Sequence, residues 1–185
     1  MKKMIIGALV GGILLFCWQF LTWGLLNLHE AQQKYTPKQD SILTYLGTQF
    51  SEDGAFMMPL CAPGTPRDEM EKKMKAFEGK PWATVIYHKS MPGMNKMFMN
   101  MGRSLLVNIF VVWLLCWLIG KINAPSFGTV FLCTLGTGII IFLYSPYTMH
   151  IWYGSFDLMA HLIDTFVAWG VVGLWLGWWL TRGRK

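Results

Sequence analysis

Four long apolar runs constrain this chain more than any other feature of its sequence. They are Met4–Leu28, Leu105–Ile119, Phe127–Tyr144 and Leu158–Leu180. A helix needs about 20 apolar residues to cross the ~30 Å hydrocarbon core of a bilayer. The first and fourth runs are long enough outright. The third, with 18 residues, is just long enough, and the second, with 15, must borrow from its flanks. In lipid only helices and closed barrels satisfy their own backbone polar groups. The runs therefore predict an α-helical integral membrane protein with four transmembrane helices. Composition agrees, because 54% of the 185 residues are hydrophobic and only 14% are charged. A soluble domain of this size cannot hide so much apolar surface. A disordered chain, a disulfide-dense secreted module and a nucleic-acid-binding domain are all excluded.

Charge sets the expected orientation. Lys2, Lys3, Lys121, Arg182, Arg184 and Lys185 fall on one side of the runs with no Asp or Glu among them, while the other side carries ten basic and ten acidic residues. Cytoplasmic loops are the ones enriched in Lys and Arg. The expectation is a bacterial inner-membrane protein with both termini cytoplasmic. Residues 1–28 form its first transmembrane helix, 29–102 an extracytoplasmic insertion, and 103–185 a three-helix transmembrane region. The net charge of +6 is thus a topology signal rather than a nucleic-acid footprint. The first run is too long for the apolar core of a signal peptide and lacks a small-residue cleavage site, so it is expected to stay as an anchor.

Small residues recur four apart at Gly7 and Gly11, Cys133 and Thr137, and Gly173 and Gly177. That spacing lets helices approach closely, within the bundle or across a dimer. Trp18, Trp23, Tyr144, Trp152, Tyr153, Trp175, Trp178 and Trp179 lie mostly near helix ends, as interfacial belts do.

The insertion reads as a small α/β cap. Thr36-Pro37-Lys38-Gln39 has the grammar of a capped helix start, and a helix to about Gln49 follows. Asp53-Gly54 marks a turn before a strand over Ala55–Leu60. Thr65-Pro66-Arg67-Asp68 opens a second helix ending at Gly79, with Met70, Met74 and Phe77 as its apolar face. Trp82–His88 reads as a second strand.

One set of residues carries a family resemblance. Trp18, Trp23 and His29 close the first helix. Glu52-Asp53-Gly54-Ala55-Phe56 with Pro59, then Gly79-Lys80-Pro81-Trp82-Ala83 with Tyr87, follow in the insertion. Over its first half the chain resembles a family of uncharacterised bacterial inner-membrane proteins; the last three helices carry little of the pattern. The resemblance implies the topology above. That family has no assigned activity, so no catalytic residue is carried over.

Candidate chemistry falls into three groups. The four cysteines contain no C-x-x-C, and Cys17, Cys116 and Cys133 lie within apolar runs. They read as small hydrophobes, and a thiol relay is not expected for want of paired thiols. Met91, Met94, Met97, Met99 and Met101 crowd one stretch just after His88. Thioethers with a His can hold Cu(I), yet Met94, Met97 and Met101 also share a helical face and supply the length that the second run lacks. Helix extension is the leading reading, copper the alternative.

The third group is positional. His29, His88, His150 and His161 all lie on the outer side, and Asp157, His161 and Asp164 repeat at i, i+4, i+7 on one helical face. An ionisable residue within a membrane helix is costly and marks a functional site by default. A cluster of His29, Asp157, His161 and Asp164 could bind a metal, relay protons, line a quinol pocket or hold a single haem through His29 and His161. An interfacial hydrogen-bond network is the plainer account. Asp164 is expected to face the bundle interior with His161, Asn27 or His29 as partner. Gln19 and Asn108 are expected to bond across helices.

No phosphate loop, H-E-x-x-H or Ser–His–Asp pattern occurs. The sequence therefore points to a non-catalytic accessory, assembly or partner-binding subunit of a larger membrane complex. Its partners would be the lipid bilayer and other membrane proteins. A copper-handling protein and a redox or quinol-interacting subunit are the alternatives.

Overall fold

Long apolar runs make most of this chain helical. The computed structural model describes residues 2–183; Arg184 and Lys185, counted above in the cytoplasmic charge, lie outside the described residues. In chain order the elements are α1 (Lys2–Phe20), α2 (Gln39–Gln49), β1 (Gly54–Met58), α3 (Arg67–Phe77), β2 (Ala83–Tyr87), α4 (Met94–Ile119), α5 (Phe127–Phe142), α6 (Thr148–Tyr153) and α7 (Leu158–Thr181). They form two units. One is the chain up to Lys34 together with everything from Met94 onward; the other is Tyr35–Gly93.

The first unit holds four helices long and apolar enough to cross a membrane: Lys2–Leu25, Met94–Ile119, Phe127–Tyr153 and Leu158–Thr181. α4 begins at Met94, so the Met-rich stretch supplies the apolar length that Leu105–Ile119 lacks. The third helix runs beyond its expected end at Tyr144. Pro146 has no N–H to donate, and a π turn over Leu143–Tyr147 absorbs the break before α6 continues to Tyr153.

α1 packs against α4 and α7, and α7 packs against α5. Val112, Val130, Val172 and Leu176 are fully buried at the centre, with Leu15 and Trp169 beside them. Close approach explains the small residues. A Cβ on Gly11 would sit 2.8 Å from Val112 Cγ1, and one on Gly12 only 2.5 Å from Ile109 Cα. Gly138 is covered as tightly by the Trp169 ring. Across the same α1–α4 contact, Asn108 Nδ2 donates to Gln19 Oε1 at 2.9 Å, as expected for polar residues bridging membrane helices.

The Tyr35–Gly93 unit is built around an antiparallel pair, β1 with β2, in the register Gly54↔Tyr87 to Met58↔Ala83. β1 stops at Met58, two residues short of the expected end, because Pro59 cannot donate to the ladder. Phe50 stacks on Phe56 at 3.9 Å and leans on Tyr87. Asp53 ties the strands at their outer end: it accepts from Lys89 N at 2.9 Å and meets His88 Nδ1 at 3.4 Å. These bonds, the Lys89 amide first, hold its carboxyl below the ordinary aspartate value. The cap grammar is corrected. α2 starts at Gln39 with Lys38, not Thr36, before it, and α3 starts at Arg67 after Pro66; neither preceding residue makes a side-chain cap. Thr36 instead accepts from Lys38 N, and Thr65 donates to Ala62 O, so both hydroxyls shape the turns before the helices.

Candidate functional site

The site forms where the first helix ends. α1 gives way to a π turn over Leu21–Leu25, and Leu28 N reaches back to Thr22 O at 3.0 Å. Asn27 then adopts φ 49°, a left-handed conformation that Asn tolerates better than most residues. The chain turns out of the helix there, and His29 points inward, only 2% exposed. π turns recur at functional sites because the inserted residue re-aims the side chains that follow.

Facing His29 is the start of α7. Asp157 occupies the residue before the helix, but its side chain makes no cap bond. The helix terminus therefore does not account for it. Its Oδ2 lies 2.8 Å from His29 Nδ1 and 3.2 Å from His161 Nε2. One carboxylate oxygen thus joins two imidazoles, and the carboxylate is itself buried.

Asp164, seven residues on along the same face, completes the set. Its Oδ2 stands 3.0 Å from His29 Nε2, and its Oδ1 accepts from Trp18 Nε1 at 2.9 Å. Asp164 faces protein, as expected, and His29 is its partner; His161 turns to Asp157 instead. Trp18, expected in an interfacial belt, is a hydrogen-bond donor to the cluster. Trp23 stacks on the His29 ring with centroids 3.9 Å apart and planes within 5°. His29 and His161 meet edge-on at 4.8 Å. The π turn and left-handed Asn27 give no sequence signal beyond Gly24 and Asn27, and the Trp18 contact gives none at all.

The charge count at this cluster is informative. Among the described residues no Lys or Arg pairs with either carboxylate. Each of the three His–Asp contacts needs one proton, yet two neutral imidazoles supply only two. All three can be hydrogen bonds only if a further proton joins the two imidazoles. A divalent cation beside Asp157 Oδ2 would resolve this differently. It would replace the protons on His29 Nδ1 and His161 Nε2 and leave His29 Nε2–H on Asp164. Two carboxylates and two neutral imidazoles would then balance its charge, which matters where burial makes unbalanced charge costly.

The other candidate residues are not gathered here. His88 and Met91 belong to the Tyr35–Gly93 unit, and Met91 is 95% exposed there. Met94, Met97, Met99 and Met101 lie on α4 in the other unit. His150 meets Ser155 O at 2.9 Å and closes the turn after α6. A haem clasped between His29 and His161 would require the Asp157 bridge to open, because the two rings already touch. Comparison with known proteins adds no further site assignment: no family model, curated protein or solved structure matches this chain.

Proposed function

We propose that this is a multi-pass membrane protein that holds a divalent transition-metal ion at His29, Asp157 and His161. One observation carries the reading. Donor atoms of these three residues lie within 4.8 Å of one another, while the far nitrogen of His29 is held by a second carboxylate, Asp164. A carboxylate on the distal N–H of a ligating histidine is the usual support of a metal-bound imidazole, because it fixes the tautomer and ring orientation. Two imidazoles and one carboxylate suit Zn²⁺ or Fe²⁺, whereas Cu(I) favours sulfur donors, and no Cys is grouped with them among the described residues. Tetrahedral Zn²⁺ with bonds of ~2.0–2.2 Å sets neighbouring donors about 3.3 Å apart. The 2.8 and 3.2 Å contacts reach that with shifts of a few tenths of an ångström, whereas the two imidazole donors, in a set spread over 4.8 Å, must draw together by about 1.5 Å.

The test is metal analysis of the purified full-length chain, stripped with chelator and reloaded with Zn²⁺. About one ion per chain is expected to survive desalting. His29→Ala and His161→Ala should lose it, and Asp164→Ala should weaken it by ~10–100-fold. A triple Met94→Leu, Met97→Leu, Met101→Leu variant should keep it. Retention in the histidine variants with loss in the Met variant would return copper handling through the Met run to first place. No bound ion in a folded wild type would favour the accessory, partner-binding role. That second reading draws support from the third helix, whose most apolar stretch is only 17% buried against 33% in α7.

We place the ion at the extracytoplasmic end of the helices in a bacterial inner membrane. Support comes from Lys2 and Lys3 at the start of α1 and Arg182 after α7, the ends opposite to His29 and Asp157. Reporter fusions after residue 60 and at the C-terminus should report opposite compartments. Signals from the same compartment would overturn the orientation.

A further inference from the structure

The metal-centre reading leaves open how many positions of the ion the protein fills. We infer that it fills only three, and that the ion presents an unfilled coordination position to a small exogenous donor such as water, hydroxide or azide. The inference rests on that reading and takes it one step further.

Among the described residues Asp164 is the other carboxylate bonded to these imidazoles, and its place is already defined. The two nitrogens of an imidazole point away from each other. His29 Nδ1 faces Asp157 Oδ2 at 2.8 Å and Nε2 faces Asp164 Oδ2 at 3.0 Å. An ion on Nδ1 is therefore separated from Asp164 by the width of the ring. Trp18 Nε1 holds the other oxygen of Asp164 at 2.9 Å, which opposes its swinging around to ligate. Asp164 and Trp18 are positioning residues for His29. Among the described residues the grouped His, Cys, Asp and Glu ligands are two imidazoles and one carboxylate. Structural zinc sites close all four positions with protein ligands, whereas three-ligand sites keep one for water or substrate.

Access has a direction as well. Trp23 covers one face of the His29 ring, and Asp157 is buried at 3% of its side chain. His161, at 30%, is the most accessible of the three ligands. A small donor would therefore approach along the His161 edge.

The probe is Co²⁺ loaded into the purified full-length chain in lipid nanodiscs, followed by visible absorption. Four-coordinate Co²⁺ gives strong visible bands that move when a ligand is exchanged. Sodium azide should shift those bands saturably, with circular dichroism unchanged. Cobalt bound to His29, Asp157 and His161, as judged by its loss in their alanine variants, but silent to azide would overturn the open position and leave the metal centre standing. A response to azide appearing only in Asp164→Ala would also overturn it, by making Asp164 the fourth ligand. Failure of the wild type to bind cobalt or zinc would overturn the metal centre itself and this inference with it.

Discussion

Asp157→Ala should lose the ion and lower the stability of the helical unit by about 1–3 kcal/mol, the cost typical of leaving a buried hydrogen-bonding group without its partner. Asp157 Oδ2 is the shared acceptor for His29 Nδ1 and His161 Nε2. Alanine leaves both nitrogens without that partner, and His29 is too deeply buried for water to replace it. Asp157→Asn separates the two consequences. Its amide oxygen can still accept a hydrogen bond, so most of the stability should remain. It carries no charge to offer a cation, so the ion should still be lost. The readouts are thermal unfolding in detergent and zinc per chain. Free zinc at 100 times the dissociation constant should stabilise the wild type by about 2.7 kcal/mol and neither variant. Wild-type stoichiometry in Asp157→Ala would remove the metal centre. Unchanged stability would show that the two contacts to Asp157 contribute nothing to the fold.

The cluster was partly legible because two of its signals are local. Asp157, His161 and Asp164 share a face by helical periodicity, and a carboxylate in an apolar helix is conspicuous on cost alone. His29 could be named as a partner because it closes the preceding run. Which histidine pairs with which carboxylate is a different kind of fact. It depends on the π turn at Leu21–Leu25 and on left-handed Asn27, which rotate His29 until both its nitrogens meet carboxylates. Nothing in the spacing reports such a rotation. Trp18 shows the same limit: an aromatic near a helix end reads as an interfacial anchor, and only tertiary packing aims its N–H at Asp164. The cap motifs failed for a further reason. Thr36 and Thr65 are residues that serve turns and helix caps equally well, and both here are used in turns.

The four apolar runs were the clearest signal, and the second made a useful case. A deficit of apolar length predicted that the Met-rich stretch would be helical, and α4 begins at Met94. The third run ends at Tyr144 by apolar content alone, while a π turn carries the helix past that point and through Pro146.

Glycine spacing marked the right helix face in α1 but not its tightest point. Gly7 and Gly11 stand four apart, yet a Cβ on Gly7 would meet a flexible Leu176 methyl at 3.2 Å, whereas one on Gly12 would lie 2.5 and 2.6 Å from the Cα and N of Ile109. A leucine methyl can move aside, but backbone cannot unless the whole helix moves. Gly12→Ala should therefore push α1 and α4 apart and cost about 1–3 kcal/mol, the range for overpacking a tight contact. The separation should propagate. Gln19 lies two turns further along α1 and bonds Asn108 on α4 at 2.9 Å, so a displaced helix would stretch that bond as well. Gly136→Ala is the control, since nothing lies within 4 Å of the Cβ it would add; it should be neutral or slightly stabilising. Unfolding of each variant in detergent, with the distance between spin labels on α1 and α4, measures both effects. Equal stability in the two variants would mean that the α1–α4 contact is not set by Gly12. A Gly12→Ala variant that is less stable at an unchanged helix separation would mean that the strain is taken up within Ile109 instead.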